Sequence, residues 1–130
     1  MAQAVLEHAN ITVTDVQKTA DMLCKLFDWK IRWASEPGGS KDGGTSFHVG
    51  ADDSYLALYT KGGREDSGNT YETIGGLNHI GVVVDDLDLV EDRVRTMGFV
   101  PHNHADYEPG RRFYFNDHDG IEIEVVSYDG

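Results

Sequence analysis

A repeated segment constrains the fold of this chain most. Residues 6–16 (LEHANITVTDV) align without a gap to residues 77–87 (LNHIGVVVDDL), so that His8 falls on His79. In each copy the apolar residues first alternate, as in a strand with one packed face, and then recur at helical spacing. The repeat therefore predicts two similar halves, each of which begins with a strand and a helix.

Three further strands follow each helix in the predicted secondary structure, because short β-rich runs alternate with turn signals. They are residues 29–35, 45–50 and 54–60 in the first half, and 99–104, 111–116 and 121–128 in the second, with a loop at 105–110. The polar, glycine-containing segment 61–75 is the predicted linker. We therefore predict one α+β domain, residues 1–130, of two βαβββ modules, about 5–60 and 76–128, with the helices outside and an open cavity formed by the curved sheets.

Composition limits the partners of the chain. Its 130 residues carry a formal net charge of −12, which disfavours binding to a phosphate backbone or to an anionic membrane surface. No apolar run is long enough for a membrane helix, and MAQAVLEH lacks the pattern of a signal peptide. The single cysteine, Cys24, has no partner for an intramolecular disulfide, which suits a reducing compartment. We therefore expect a cytoplasmic protein that binds a small molecule, and neither nucleic acid nor a membrane.

Strand alternation sends two histidines and a glutamate to the sheet faces opposite the helices. These residues are His8, His79 and Glu124. Two histidines with one carboxylate suit non-haem Fe(II), and Mn, Zn or Ni bind similar ligands. A strand histidine is more often hydrogen-bonded or exposed, and alternating glutamates more often form a solvated face, so both interpretations stay open at this point. Glu122 shares the face of Glu124 and is interpreted as a rim residue.

The paired modules resemble the vicinal oxygen chelate superfamily, which includes glyoxalase I, extradiol ring-cleaving dioxygenases, methylmalonyl-CoA epimerase, and the bleomycin and fosfomycin resistance proteins. The resemblance covers nearly the whole chain, and DHDGIEIEV at residues 117–125 is similar to the closing DPDG motif of the superfamily. It implies metal ligands at His8, His79 and Glu124. The remaining ligand position falls on Ala57, which can neither bind a metal nor accept a proton, so the ordinary glyoxalase mechanism is not expected.

A ligand set of two histidines and one glutamate, with the fourth position vacant, most resembles the extradiol dioxygenases. Tyr114 precedes Glu124 at the spacing of their signature. His104 lies one residue further upstream than the signature histidine, and Ser54 stands where the acid–base histidine of that group falls. The resemblance implies that Fe(II) brings a vicinal diol and O₂ together in one coordination sphere.

The same resemblance implies roles for the side chains around the metal. Tyr114 would donate a hydrogen bond to a substrate oxygen, although a packed strand aromatic is the alternative. His48 or His104 would supply the missing base. The candidate substrate-binding residues are Arg111, Arg112 and Ser54. An arginine pair can hold an anionic substrate, but such a pair is more often one solvated arginine and one salt bridge.

Three classes of function therefore remain from the sequence. The first is an extradiol-type oxygenase, and the second is a metal-dependent lyase or isomerase of the glyoxalase or epimerase type. The third is a metal-free binding protein that uses the same cavity. In each case we expect a homodimer, because chains of this superfamily and size commonly pair.

Overall fold

The computed structural model describes residues 2–40, 42–62, 68–107 and 110–128. The chain forms two compact units, residues 1–64 and 65–130. Each unit consists of one strand, one helix and three further strands. The elements of the first unit are β1 His8–Thr12, α1 Val16–Phe27, β2 Lys30–Ala34, β3 Thr45–Gly50 and β4 Tyr55–Thr60. Those of the second are β5 Ile80–Val83, α2 Leu87–Thr96, β6 His102–Tyr107, β7 Gly110–Asn116 and β8 Glu122–Ser127.

The two sheets share one topology. The strand order is β1-β4-β3-β2 in the first unit and β5-β8-β7-β6 in the second. The first strand of each unit pairs in parallel with the last, and the other pairs are antiparallel. The predicted α+β class with two βαβββ modules is therefore confirmed. Within the described residues, neither helix has the length and apolar character needed to cross a membrane.

An aspartate begins each helix, in matching places of the repeat. The Asp15 carboxylate accepts hydrogen bonds from the backbone N–H groups of Gln17 and Lys18, at 3.0 and 3.1 Å. The Asp86 carboxylate accepts one from the N–H of Leu89, at 3.1 Å. These bonds satisfy first-turn donors that have no partner within the helix, so the strand-to-helix boundary is set locally in both units.

Each unit packs one face of its sheet against its own helix. In the first unit the fully buried side chains include Leu23 and Leu26 of α1 and Val49 and Leu58 of the sheet. In the second they are Val94, Phe113, Phe115, Ile123 and Val125. Burying one such side chain contributes about 1.5–3 kcal/mol. Because side chains alternate along a strand, the intervening residues project from the other side of each sheet, which we call its open face.

The strand β6 differs from its prediction. It begins at His102 and continues to Tyr107, so residues 105–107 are in a strand rather than in the predicted loop; residues 108–109 lie outside the described part of the chain. The pairing with β7 shifts register between His102 and Ala105, and Asn103 there has a positive φ of 54°. Such a bulge interrupts the alternation of side chains, which a periodic reading of the sequence assumes to be continuous.

Candidate metal centre

Glu124 is the centre of a polar network on the open face of the second unit. Its Oε1 lies 3.0 Å from His79 Nε2. Its Oε2 accepts a hydrogen bond of 2.8 Å from Nη1 of Arg112 on the neighbouring strand β7. The Glu124 and Arg112 side chains are only 12% and 13% exposed. The arginine therefore neutralises one carboxylate oxygen in a partly dry environment and leaves the other directed at the imidazole.

The imidazole of His79 is held from its other side by the residue that precedes it. Asn78 Oδ1 lies 2.7 Å from His79 Nδ1. Because an amide oxygen only accepts, Nδ1 donates to Asn78, and Nε2 is left to face Glu124 Oε1. A cation is needed where these two acceptors converge, and either an imidazolium proton or a metal ion supplies it. A histidine that binds metal through Nε2 usually donates a hydrogen bond from Nδ1 to an oxygen atom of a neighbouring group.

The same anchoring recurs in the first unit. Glu7 Oε1 lies 2.9 Å from Nδ1 of His8, so again the preceding residue holds the ring and leaves Nε2 available. The hydrogen bond to His8 is the main reason that the pKa of Glu7 is lowered, and the Tyr55 hydroxyl adds to it. In both copies of the repeat, therefore, the residue before the histidine holds the Nδ1 atom of its ring.

Aromatic side chains surround His8 on the open face of the first unit. His8 stacks on Tyr55 at 4.9 Å between ring centroids, and Tyr55 stacks on His48 at 4.6 Å. Trp33 follows at 4.9 Å from His48. Burial, and then the positive charges of His8 and Arg32, lower the pKa of His48. A neutral imidazole at this place is able to accept a proton.

Strand register shows which residue of the first unit matches Glu124. In the second unit Gly81 pairs with Glu124. Asn10, at the position of the repeat that matches Gly81, pairs with Ala57. Ala57 therefore occupies the place of the glutamate, with a side chain that cannot bind a metal. By the same register, His48 pairs with Ala57 and Tyr114 pairs with Glu124, so His48 and Tyr114 occupy matching places.

A pocket of about 360 Å³ opens on the second unit. Its lining residues are Tyr71, Asn78, His79, Asn103, Tyr114 and Glu122. The edge of the His79 ring faces Tyr114, with 5.9 Å between the centroids. Tyr114 thus lies beside the proposed ligand pair and also lines the pocket, rather than being buried in the core.

Tyr71 reaches this pocket from the segment that was predicted only as a linker. Its hydroxyl donates a hydrogen bond to Glu122 Oε1. That bond, followed by burial and the negative charge of Glu122, raises the pKa of Tyr71 to about 12. Sequence reasoning missed this residue because a polar, glycine-containing segment carries no periodic signal that assigns a side chain to a site.

The other candidate residues lie apart from the network around Glu124. His104 Nε2 lies 3.0 Å from Oε2 of Glu91 on α2, and its ring stacks near the buried Phe113. Its side chain is therefore on the helix side of β6. His102 instead pairs with Tyr114 and stacks on its ring at 6.3 Å, with Nε2 2.9 Å from Asn116 Oδ1. The bulge in β6 places His102, rather than His104, on the open face.

The two arginines of the predicted pair separate. Arg111 Nη1 lies 3.4 Å from the exposed Asp88 of α2, whereas Arg112 binds Glu124. The two side chains thus form separate salt bridges, an exposed one for Arg111 and a largely buried one for Arg112. Ser54 is exposed directly before β4.

The donors present on the second unit fit a divalent metal ion. Two ligands that bind one ion at about 2.1 Å and at right angles lie about 3.0 Å apart, which is the separation of His79 Nε2 and Glu124 Oε1. Within the described residues of either unit, no three side chains of histidine, cysteine, aspartate or glutamate converge as a complete ligand cluster. The described part of the second unit therefore presents two candidate ligands.

Comparison with known proteins identifies the family. The Glyoxalase/Bleomycin resistance protein/Dioxygenase superfamily matches residues 5–125. The chain belongs to this superfamily. Among curated protein sequences, none is similar enough to count as a match.

Solved structures support the same fold. The glyoxylase/bleomycin resistance protein/dioxygenase domain from Frankia sp. EAN1pec is 21% identical, with 99% of this chain and 94% of that chain covered and a TM-score of 0.79. The fosfomycin resistance protein FosX from Mesorhizobium loti is 24% identical, with 96% and 92% covered and a TM-score of 0.73. FosX from Listeria monocytogenes, in complex with Mn(II) and sulfate, is 19% identical, with 98% and 93% covered and a TM-score of 0.73. This vicinal oxygen chelate superfamily thus includes proteins that bind a divalent metal.

Proposed function

We propose that this protein is a metal-dependent enzyme that acts on a small molecule with two adjacent oxygens. The observation that carries the proposal is the 3.0 Å separation of His79 Nε2 and Glu124 Oε1, with Arg112 on the other carboxylate oxygen. His79 and Glu124 are the proposed ligands from the second unit. His8, whose Nδ1 is anchored in the same way as that of His79, is the proposed third ligand.

The proposed ion is Fe(II), with Mn, Zn or Ni as alternatives that accept the same ligands. When bound, a divalent ion supplies Lewis acidity and orients two neighbouring substrate oxygens. Three residues of the chain orient the proposed ligands. Asn78 and Glu7 select the tautomers of the two histidines, and Arg112 limits Glu124 to one available oxygen. Ala57 leaves the remaining ligand position vacant for substrate.

The proposed reaction is ring cleavage of the extradiol type. Tyr114 lies beside His79 and lines the pocket, so its hydroxyl is proposed to donate a hydrogen bond to a substrate oxygen. His102 stacks on Tyr114 from β6 and is a better placed proton acceptor on this unit than His104. On the first unit His48 has that role, because burial and nearby positive charge favour its neutral form. Ser54 remains proposed for substrate binding, whereas the predicted arginine pair is engaged elsewhere, Arg111 by Asp88 and Arg112 by Glu124.

The test begins with metal content after loading with Fe(II) without oxygen. We expect about one ion per complete site in the wild type, and loss of that ion in His79→Ala, Glu124→Ala and His8→Ala. His104→Ala is the matched control, because it removes an imidazole on the helix side of the same unit and should retain the ion. Undiminished metal in both His79→Ala and Glu124→Ala would show that the ligand assignment is wrong.

Oxygen consumption then tests the reaction. Iron-loaded protein should consume O₂ with one or more members of a catechol panel, and Tyr114→Phe should lower kcat with little change in metal content. No oxygen consumption across the panel would count against an extradiol enzyme.

A metal-dependent lyase or isomerase is the second candidate. It is favoured by the similarity of fold to the Listeria monocytogenes protein, which has been crystallised with Mn(II) and 1S,2S-dihydroxypropylphosphonic acid, a compound with adjacent hydroxyls. Manganese-dependent turnover of a hemithioacetal or an acyl-CoA, without oxygen consumption, would support it. A metal-free binding protein predicts instead that His8→Ala changes neither metal content nor ligand affinity.

We also propose that the chain works as a cytoplasmic homodimer. Each sheet ends at its first strand, since β1 pairs only with β4 and β5 only with β8 in the described residues. Val83 on β5 is 64% exposed, and Leu6 just before β1 is 84% exposed. Unpaired strand edges that carry apolar side chains favour association with a further strand or chain. Sedimentation of the purified protein tests this, and a monomer at micromolar concentration would contradict it.

A further inference from the structure

Two glutamates on β8 share the open face of the second unit but have different surroundings. Glu124 is paired with the guanidinium of Arg112. Glu122 accepts a hydrogen bond from the neutral phenol of Tyr71, and it forms no ion pair with any residue that the structure describes. The negative charge of Glu122 is therefore uncompensated, and it lies on the wall of the pocket.

The rest of the pocket wall offers no fixed positive charge. Among the described lining residues, two asparagines and two tyrosines accompany Glu122, and only His79 is able to become cationic. The nearest arginine on this face, Arg112, is already engaged by Glu124. Residues two apart on a strand lie about 7 Å from each other. An anionic group placed in the pocket would therefore meet the uncompensated charge of Glu122, whereas Glu124 lies further away and is paired with Arg112.

The pocket is also built to donate and accept hydrogen bonds. Asn78 and Asn103 supply amide groups, and Tyr71 and Tyr114 supply hydroxyls. Such groups suit a substrate with hydroxyl or ammonium substituents, because amide and hydroxyl oxygens accept hydrogen bonds from them.

We infer that Glu122 selects the charge of the substrate, so that the pocket takes a diol with a cationic or neutral substituent and rejects a carboxylate or a phosphonate. This inference rests on the proposed function only for the diol end of the substrate. The Tyr71 hydroxyl donates a hydrogen bond to the Glu122 carboxylate. The bond leaves Glu122 Oε2 available to a ligand, because the Tyr71 hydroxyl occupies Oε1.

Three catechols with the same vicinal diol and different charge test this inference. They are 4-(2-aminoethyl)catechol, 4-ethylcatechol and 3,4-dihydroxyphenylacetate. Their dissociation constants are measured without oxygen by titration calorimetry, on Mn(II)-loaded protein and on metal-free protein. We expect the cationic probe to bind at least about tenfold more tightly than the anionic one, because complementary charge is favoured and like charge is excluded.

Three variants test whether Glu122 causes the difference in affinity between the cationic and anionic probes. In Glu122→Gln, which keeps the size and the hydrogen-bonding oxygen, the ratio of the two dissociation constants should fall to about threefold or less. Glu72→Gln is the matched control, because it removes the same charge from an exposed neighbour of Tyr71 that does not line the pocket. Glu72→Gln and Tyr71→Phe should both keep the preference, since the carboxylate of Glu122 remains.

The outcomes separate the inference from the proposed function. Equal or tighter binding of the anionic probe, no binding of the cationic probe, or a preference that survives Glu122→Gln would each overturn the inference. Loss of the preference in Glu72→Gln would also overturn it, because the effect would then come from net charge alone. Metal retained in Glu124→Ala would instead refute the metal centre, while the charge preference of metal-free protein would still stand or fall with Glu122.

Discussion

The open faces of the two units have the same backbone pattern and different chemistry. In the first, Tyr55 separates His8 from His48 in a stack of rings. In the second, His79 contacts a glutamate that an arginine neutralises. The Nδ1 anchor before each histidine is common to both. The duplicated fold thus preserves the means of presenting an imidazole, whereas the carboxylate and its counter-charge are present in one copy only.

A carboxylate at this place of the fold needs a cation beside it. Arg112 and Glu124 lie on adjacent strands of the second unit, on the same face. In the first unit the matching places are Ser46 and Ala57, so the charge and its counter-charge are both missing. A buried carboxylate without a partner is strongly unfavourable, which explains why the two positions differ together.

Introducing a glutamate at Ala57 should have the largest effect on stability. Ala57 is only 3% exposed, and Ala57→Glu would bury a charge where Ser46 stands in the place that Arg112 has in the second unit. We expect the free energy of unfolding to fall by about 3–5 kcal/mol, measured by urea denaturation. Adding Ser46→Arg to Ala57→Glu should recover more than about 1 kcal/mol in a double-mutant cycle. Zero coupling between the two changes would contradict this account.

Removing the counter-charge from the second unit should have the next largest effect. Arg112→Met keeps the aliphatic stem and leaves Glu124 without its guanidinium, so we expect a loss of about 2–4 kcal/mol in the free energy of unfolding. Saturating Mn(II) should raise the Tm of this variant more than that of the wild type, because the ion neutralises the same carboxylate. Arg111→Met is the matched control, since the exposed Arg111–Asp88 pair should contribute less than about 0.5 kcal/mol. Equal losses in both variants would remove the special role of Arg112.

The two anchors of the histidines should differ in their response to salt. Glu7→Ala and Asn78→Ala should each weaken metal binding by about 10- to 100-fold, because each removes the group that holds Nδ1 of a ligand histidine. The Glu7 carboxylate is charged and exposed, so high salt should reduce the difference in metal affinity between Glu7→Ala and wild type. Because Asn78 carries no charge, salt should leave the difference in metal affinity between Asn78→Ala and wild type unchanged. Metal affinity is measured by competition with a chromophoric chelator, and unchanged affinity in both variants would show that the anchors serve the fold alone.

The smallest expected effect concerns the turns that precede β4 and β8. Asp117 is 7% exposed, and it accepts hydrogen bonds from the N–H groups of Asp119 and Ile121, both at 2.9 Å; the first unit has the exposed Ala51 directly after β3. Burial raises the pKa of Asp117, against the lowering effect of those two bonds.

Because the unfolded chain loses this proton first, the Asp117 contribution to stability is complete below the unfolded pKa, near 3.9. It declines as the pH rises through the folded pKa. Asp117→Asn cannot ionise, so its stability relative to wild type should improve between about pH 3 and pH 6. Urea denaturation at several pH values measures this, and a relative stability that worsens over that interval would contradict the assigned direction.

The sequence predicted the elements well where the pattern was periodic. Alternation in the first strand of each repeat, followed by helical spacing, identified both βα units, and aspartate caps confirm where the helices begin. It also assigned His8, His79 and Glu124 to the sheet faces opposite the helices, and their role as ligands stays a prediction. Prediction failed at β6, because a bulge at Asn103 adds one residue and reverses the side on which His104 lies.

The interactions of these residues were decided by tertiary structure. The register of β7 against β8 determines that Arg112, and not Arg111, contacts Glu124. Two consecutive arginines in the sequence do not indicate which one makes this contact. Tyr71 reaches Glu122 from 51 positions earlier in the chain, through a segment without periodicity.

By itself, therefore, the sequence determined the duplicated fold and the matched histidines, because these depend on local spacing along the chain. Only the tertiary structure decided that Glu124 is a neutralised partner of His79 while Glu122 keeps an open charge on the pocket wall. Two identical residues two positions apart acquire different properties because long-range pairing chooses the groups that surround them.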